Sequence, residues 1–355
     1  MSSDVISSLL DALPLPALVI GRLERVVGAN ARAVQLLGEG LVGRHFITAL
    51  RQPGILDAIE TSLRTQSTRH TRYLSSDGAQ DTAFSVTCSP VQTDAGQGIL
   101  VCFEDITHLE QARQMRRDFV ANVSHELRSP LTSLLGFIET LQGPALGDTE
   151  ATERFLKIMA GEATRMERLV HDLLSLSRVE EQLRVRPTDP VDLAGIVISV
   201  THALNTVAND HDVTLVTDLP KTPIIVPGDA DQLQQVVTNL VENAIKYGGR
   251  EKSVFLSLAT TDQEPAIRGP AAVVTVRDTG PGIAQIHIPR LTERFYRVDS
   301  HRSREVGGTG LGLAIVKHII DRHRGRLRIA SEVGEGAEFR VVLPKDGPVA
   351  EGLSP

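Results

Sequence analysis

Apolar residues recur along this chain with periods that change from one stretch to the next, and the changes mark its parts. Between Phe119 and Leu141, the residues Val123, Leu127, Leu134, Ile138 and Leu141 return at intervals of three, four and seven, the spacing of one helix face. At about 100° per residue, His125 falls roughly 200° from Val123 and roughly 160° from Leu127, so it is displayed away from that stripe. The pattern predicts one long helix from His108 to Gln142, weakened or kinked by Pro130, which removes the amide that the Glu126 carbonyl would accept. Gln142 to Asp148 interrupts it, and Asp148 or Thr149 suits the N-cap of a second helix. There Phe155, Met159, Glu162, Met166, Leu169, Leu173 and Leu176 alternate four and three apart as a heptad seam. Two long helices with apolar seams cannot bury themselves as a bare hairpin. Pairing with a second copy into a four-helix bundle is expected, hence a homodimer.

On either side of the hairpin the period shortens. Residues 1–106 read as a small α+β domain: strands Pro16–Ile20 and Glu24–Val27, helices Ala29–Leu37 and Ile55–Leu63, then strands Thr68–Leu74, Asp81–Cys88 and Gly98–Phe103. Turns are expected at Ser75–Gly78 and Asp94–Gly96. The hairpin occupies residues 107–183, and charged, proline-bearing Arg184–Pro190 reads as a linker. Residues 191–345 alternate helices (Leu193–Leu204, Asp231–Tyr247, Leu311–Arg324) with strands (Val213–Val216, Ile224–Val226, Val254–Leu258, Val273–Arg277, Leu327–Ala330, Glu338–Leu343). Antiparallel strands with three helices on one face predict an α/β sandwich, and residues 346–355 a disordered tail.

Composition narrows the function. A net charge of −7, no Trp and 3% aromatic residues argue against a nucleic-acid surface. Cys88 and Cys102 fall in strand-like segments without metal or redox spacing and are expected as reduced thiols. The most apolar early segment, Leu9–Ile20, contains Asp11, Pro14 and Pro16 and is far short of the roughly 20 residues that span a bilayer. A cytoplasmic protein is the expectation, with any membrane signal arriving through a membrane-protein partner.

The candidate chemistry lies in the hairpin and the last third of the chain. Asn239, Asn243, Lys246 and Tyr247 share one face of a predicted helix, and two carboxamides and an ammonium there imply a polar ligand. An Asn carbonyl oxygen is a hard donor suited to Mg²⁺, and a Lys supplies point charge to phosphate. Asp278-Thr-Gly280-Pro-Gly282 follows a strand directly, where glycines let backbone approach a flat ligand. Gly307-Gly308-Thr309-Gly310-Leu311-Gly312 opens a helix and offers amides to phosphate oxygens, in neither the Walker A nor the dinucleotide-binding register.

Ser124-His-Glu-Leu-Arg-Ser-Pro-Leu-Thr132 resembles the phosphoacceptor box of sensor histidine kinases. The run Asn239–Tyr247 resembles their N box, Asp278–Gly282 and Gly308–Gly312 their glycine boxes, and Leu291-Thr-Glu-Arg-Phe-Tyr-Arg297 their F box. Residues 1–106 resemble a PAS domain, with no His, Cys or aromatic cluster pointing to haem or flavin. The resemblance implies a Bergerat-type ATPase sandwich in which Asn243 coordinates Mg²⁺ and Asn239 and Lys246 lie near the phosphates. It also implies Tyr247 beside the nucleotide, Asp278 reading adenine, Arg297 reaching the phosphates, and a lid at Val298–Val306. His125 would take a phosphoryl group from ATP, with Glu126 orienting the ring, and pass it to an Asp of a response-regulator receiver domain. Ser129 stands where Thr or Asn usually supports phosphatase activity. Arg51–Glu60 and Phe119–His125 look most like phosphate-regulon sensor kinases. A different ATPase of the same superfamily, or a non-catalytic PAS and coiled-coil scaffold, are the rivals; the paired His125-Glu126 opposes the first and intact Asn243 and Asp278 the second.

Overall fold

A computed structural model describes residues 3–76, 81–93, 96–182, 185–298 and 308–345, which form two compact units, Met1–Ala121 and Asn122–Pro355. Parts of both expected turns, Arg184, the expected lid beyond Val298, Gly307 and the expected tail lie outside the described residues.

In the first unit, helices α1 (Ser3–Asp11), α2 (Ala31–Leu37), α3 (Phe46–Leu50) and α4 (Pro53–Thr65) accompany strands β1 (Ala17–Ile20), β2 (Val26–Ala29), β3 (Arg69–Ser76), β4 (Asp81–Thr93) and β5 (Gly96–Asp105). The strands form one antiparallel sheet in the order β2-β1-β5-β4-β3. One face packs Leu18, Phe46, Ile55, Ile59, Val86 and Phe103 into a core, and the other packs Ala17 and Val19 against Ile6 and Leu10 of α1. Neither α1 nor α3 is evident in the apolar period, because both are short. Asn30 caps α2 and is buried, yet every bond it can make is used. Its Oδ1 accepts from the Ala17 and Ala33 amides, and its Nδ2 donates to the Leu10 and Leu15 carbonyls. Cys88 and Cys102 are free thiols; burial, and then the charge of Cys102, push the Cys88 thiol up to about 12.

Helix α5 (Thr107–Gln142) is continuous through Pro130. Hydroxyls brace that stretch: Ser129 donates to the His125 carbonyl, Thr132 to that of Arg128 and Ser133 to that of Ser129. Helix α6 (Thr149–Glu181) is capped by Asp148, whose side chain accepts from the Ala151 amide. Each seam residue of α6 is at least half-buried, and Phe137 packs against Phe155 with ring centroids 5.1 Å apart. Leu131, Leu135 and Ile138 of α5, with Leu156, Val170 and Leu174 of α6, remain exposed.

Beyond the hairpin come β6 (Asp189–Asp192), α7 (Leu193–Asp210), β7 (Val213–Asp218), β8 (Ile225–Gly228), α8 (Ala230–Gly248), β9 (Lys252–Glu264) and β10 (Gly269–Asp278). A 3-10 turn at Ile288–Arg290, α9 (Gly312–Arg322), β11 (Arg326–Glu332) and β12 (Gly336–Pro344) complete the sandwich. The sheet order is β11-β12-β10-β9-β7. Two expectations need correction. The sheet is not wholly antiparallel, because β7 pairs with β9 in parallel through the α8 crossover. The end of the expected linker is a strand, since β6 pairs with β8. Leu240 and Val241 of α8 and Ile315 and Ile319 of α9 are buried with Leu256, Val274 and Val341 of the sheet. No helix among the described residues is long and apolar enough to cross a membrane.

Candidate nucleotide and phosphoacceptor site

Helix α8 carries two opposed faces. Leu233, Val236, Val237, Leu240, Val241, Ala244 and Ile245 are buried, and Asn239, Asn243, Lys246 and Tyr247 line a cavity of about 950 Å³. That volume lies at the upper end of the ~300–1,000 Å³ usual for small-ligand and cofactor sites. Asn239 donates from Nδ2 to the Gly312 carbonyl at 3.4 Å, tying the α8 face to the start of α9. Lys246 is also held locally, its Nζ 2.5 Å from Glu242 Oε2 one turn earlier.

Asp278 ends β10 at the cavity wall and is only 6% exposed. Its Oδ1 accepts from the Gly280 amide at 2.9 Å and the Ala337 amide at 3.3 Å, which fixes the carboxylate. Burial raises the Asp278 carboxyl above its ordinary value, against the lowering effect of those backbone bonds. Gly280 therefore acts through Asp278 rather than from the cavity lining. Gly282 does line the cavity, with φ +69°, and a Cβ there would overlap the Glu332 carbonyl.

Gly308, Thr309, Gly310 and Gly312 line the same cavity, as does Arg297. Leu311, at the N-cap of α9, is fully buried with its amide donated to the Thr309 hydroxyl at 3.3 Å, and it is not among the residues lining the cavity. Oxygen and amide donors at one wall, a fixed carboxylate at another and glycine backbone at the third fit a purine nucleotide. The Asn243 carboxamide in the cavity lining is a hard oxygen donor of the kind that would suit Mg²⁺. No cluster of three His, Cys, Asp or Glu among the described residues competes for it.

The cavity's remaining wall is α6, through Arg168, His171, Asp172, Ser175 and Arg178. Thr309 of the glycine box donates to Asp172 Oδ2 at 2.8 Å. Burial raises the Asp172 carboxyl, and the Thr309 bond opposes the shift. Asp172 adjoins the seam residue Leu173, and nothing in the heptad spacing marks it as a cavity residue.

His125 is exposed on α5, as its angle to the apolar stripe predicts, and is not among the residues lining the cavity. Glu126 points elsewhere: Oε2 lies 2.7 Å from Arg165 Nη2 of α6, and Oε1 lies 3.8 Å from Arg297 Nη1. Ser129 is exposed, with its hydroxyl donated to backbone. Arg165 precedes the seam residue Met166 and carried no signal, because the partner of a long side chain lies outside any local period.

The structure thus joins a nucleotide-sized cavity in an α/β sandwich to a hairpin that presents an exposed histidine. Residues 115–182 match the His Kinase A (phospho-acceptor) domain, and residues 228–347 the histidine kinase-, DNA gyrase B- and HSP90-like ATPase. Residues 10–111 match the PAS fold. The chain thus carries the phospho-acceptor and ATPase domains of histidine kinases behind a PAS fold. It is 37% identical over 252 residues to the sensor protein kinase WalK of Staphylococcus aureus, covering 70% of this chain and 58% of that one. WalK of S. aureus strain JH9 is 37% identical over the same share of this chain and 40% of its own length. The chain thus spans about half the length of the curated relatives it matches. The histidine kinase ThkA, solved in complex with response regulator protein TrrA, covers 96% of this chain and 98% of its own at 22% identity and TM-score 0.53, a likeness of fold.

Proposed function

We propose that this chain is an ATP-dependent protein-histidine kinase that phosphorylates its own His125 and passes the phosphoryl group to an Asp of a response-regulator receiver domain. The observation that carries the reading is the convergence of Asn239, Asn243, Asp278, Arg297 and the Gly308–Gly312 backbone on one cavity, in a unit that also displays His125. We read residues 1–106 as the sensor domain, 107–183 as the dimerising phosphotransfer hairpin and 191–345 as the catalytic domain.

Asp278 reads the adenine amine, and the glycine-box amides, Lys246 and Arg297 hold the phosphates. Mg²⁺ bound through Asn243 supplies charge neutralisation on the phosphate chain. A neutral imidazole nitrogen of His125 forms the N–P bond as the bond from the γ-phosphorus to its bridging oxygen breaks, with that electron pair leaving on ADP. The proton on the other ring nitrogen is shared with Glu126. Because His125 does not line the cavity, transfer calls for the catalytic domain to move along the hairpin or for a second copy to supply it. The exposed α5 and α6 stripes support a homodimer. The ThkA complex with a response regulator supports a receiver-domain partner. The likeness to phosphate-regulon kinases rests on domain order and two short strings, and the named relatives are WalK kinases, so phosphate-starvation signalling is no part of the proposal.

The test is labelling with γ-³²P-ATP and Mg²⁺. The parent chain is expected to acquire acid-labile, base-stable phosphate, and His125→Gln to acquire none while binding Mg²⁺-ATP with parental affinity. Persistent label on the variant would refute His125 as the acceptor.

A further inference from the structure

We infer that Arg165 is a positioning residue for this transfer: it grips one oxygen of the Glu126 carboxylate, so that Arg297 can leave the other oxygen for the nucleotide's phosphates. The inference rests on the histidine kinase reading above.

Successive residues of a helix diverge by about 100°, so Glu126 does not face the His125 ring by virtue of being its neighbour. A flexible glutamate needs an external hold to keep one rotamer. Arg165 supplies it with a charge-assisted bond of 2.7 Å to Oε2, and its Nη1 lies 3.9 Å from Glu162, which steadies the guanidinium. The side chains of Arg165, Glu126 and Arg297 keep only 17%, 22% and 10% of their exposure, so this is not a solvated surface pair.

The two arginines sit on different oxygens and at different distances. Arg165 is within hydrogen-bond reach of Oε2, whereas Arg297 stands 3.8 Å from Oε1, beyond it. Arg297 also lines the nucleotide cavity. Its guanidinium therefore has two candidate anions, and the looser contact is the one that yields when a phosphate chain arrives. Glu126 then keeps Arg165, so no half-buried carboxylate is stranded without a cation. The vacated Oε1 is then the oxygen left to accept the ring proton of His125, whose side chain must turn toward it as the N–P bond forms. Nucleotide binding and release of the proton acceptor are thereby one event.

The experiment uses the full chain, Mg²⁺-ATP for single-turnover labelling and Mg²⁺-AMPPNP for binding. A parent chain that never forms phosphohistidine would sink the kinase reading itself, before Arg165 is tested. With an active parent, Arg165→Gln is expected to slow labelling about tenfold or more while the AMPPNP dissociation constant moves less than about threefold. Arg165→Lys, which keeps the charge without the fork, should recover part of the rate. In a Glu126→Gln background, Arg165→Gln should add no further loss to the residual rate, because the residue acts through that carboxylate. An unchanged rate in Arg165→Gln, or a loss that multiplies undiminished onto Glu126→Gln, overturns the inference. Should Arg165→Gln fail to fold, Arg165→Lys carries the same cycle, and a parental rate in it is the overturning result.

Discussion

At the scale of single residues, Asp278 shows how backbone prepares a side chain. Both amides that reach it, Gly280 and Ala337, bond to Oδ1, which leaves Oδ2 to meet a ligand donor. Asp278→Asn preserves the shape and the Oδ1 bonds but replaces the other acceptor with a donor. A hydrogen bond to a charged group is worth about 1.5–3 kcal/mol, so Mg²⁺-ATP binding should weaken roughly ten- to hundredfold by titration calorimetry. Unchanged affinity would place the adenine elsewhere. Asp278 was singled out by the family resemblance rather than by its spacing, since a carboxylate and two glycines after a strand also make a common tight turn. Arg165 and Asp172 were not. Both lie beside seam positions on α6, and their meaning comes from groups far along the chain, Glu126 and Thr309, separated by 39 and 137 residues.

At the scale of elements, periodicity was a good guide to type and a poorer one to extent. The long helix of the hairpin, its partner, the N-cap at Asp148 and the two-faced α8 follow from apolar spacing and capping chemistry. The β6 strand escaped because its two inner residues, Pro190 and Val191, show no alternation, and its pairing with β8 crosses more than a helix of sequence. The hairpin also poses a test. Its seam is mostly covered within the chain, but Leu131 and Leu135, with Ile138 at the edge of the first stripe, form an uncovered band on α5. Leu135→Glu puts a charge in the middle of that band, where a bundle would have to desolvate it. The parent is expected to sediment as a dimer and the variant as a monomer with its helical signal retained; a dimeric variant would show that another surface pairs the chains.

At the scale of the whole molecule, Asp172 of the hairpin accepts a hydrogen bond from Thr309 of the sandwich, and the burial of its carboxyl sets a pH dependence. Burial raises the Asp172 carboxyl, so the folded chain binds that proton more tightly than the unfolded chain does. Its contribution to stability is present in full below the ordinary carboxylate value and is lost as pH rises through the raised folded value. Asp172→Asn keeps an acceptor for Thr309 and removes the cost of ionisation. Its unfolding midpoint should exceed the parent's at neutral pH and converge with it in acid, measured by thermal melts across the range. A gap of constant size would mean that ionisation of Asp172 is not its source.

Sequence alone determined the order of the parts, the face on which His125 stands, and which side of α8 lines the cavity, because these follow from local spacing along one element. Only the tertiary structure decided that β7 runs parallel to β9, that α6 closes the nucleotide cavity, and that Glu126 answers to Arg165 and Arg297. The physical reason is range. Helix faces repeat every few residues, whereas strand neighbours and the partners of long charged side chains are chosen by packing between elements that no local period records.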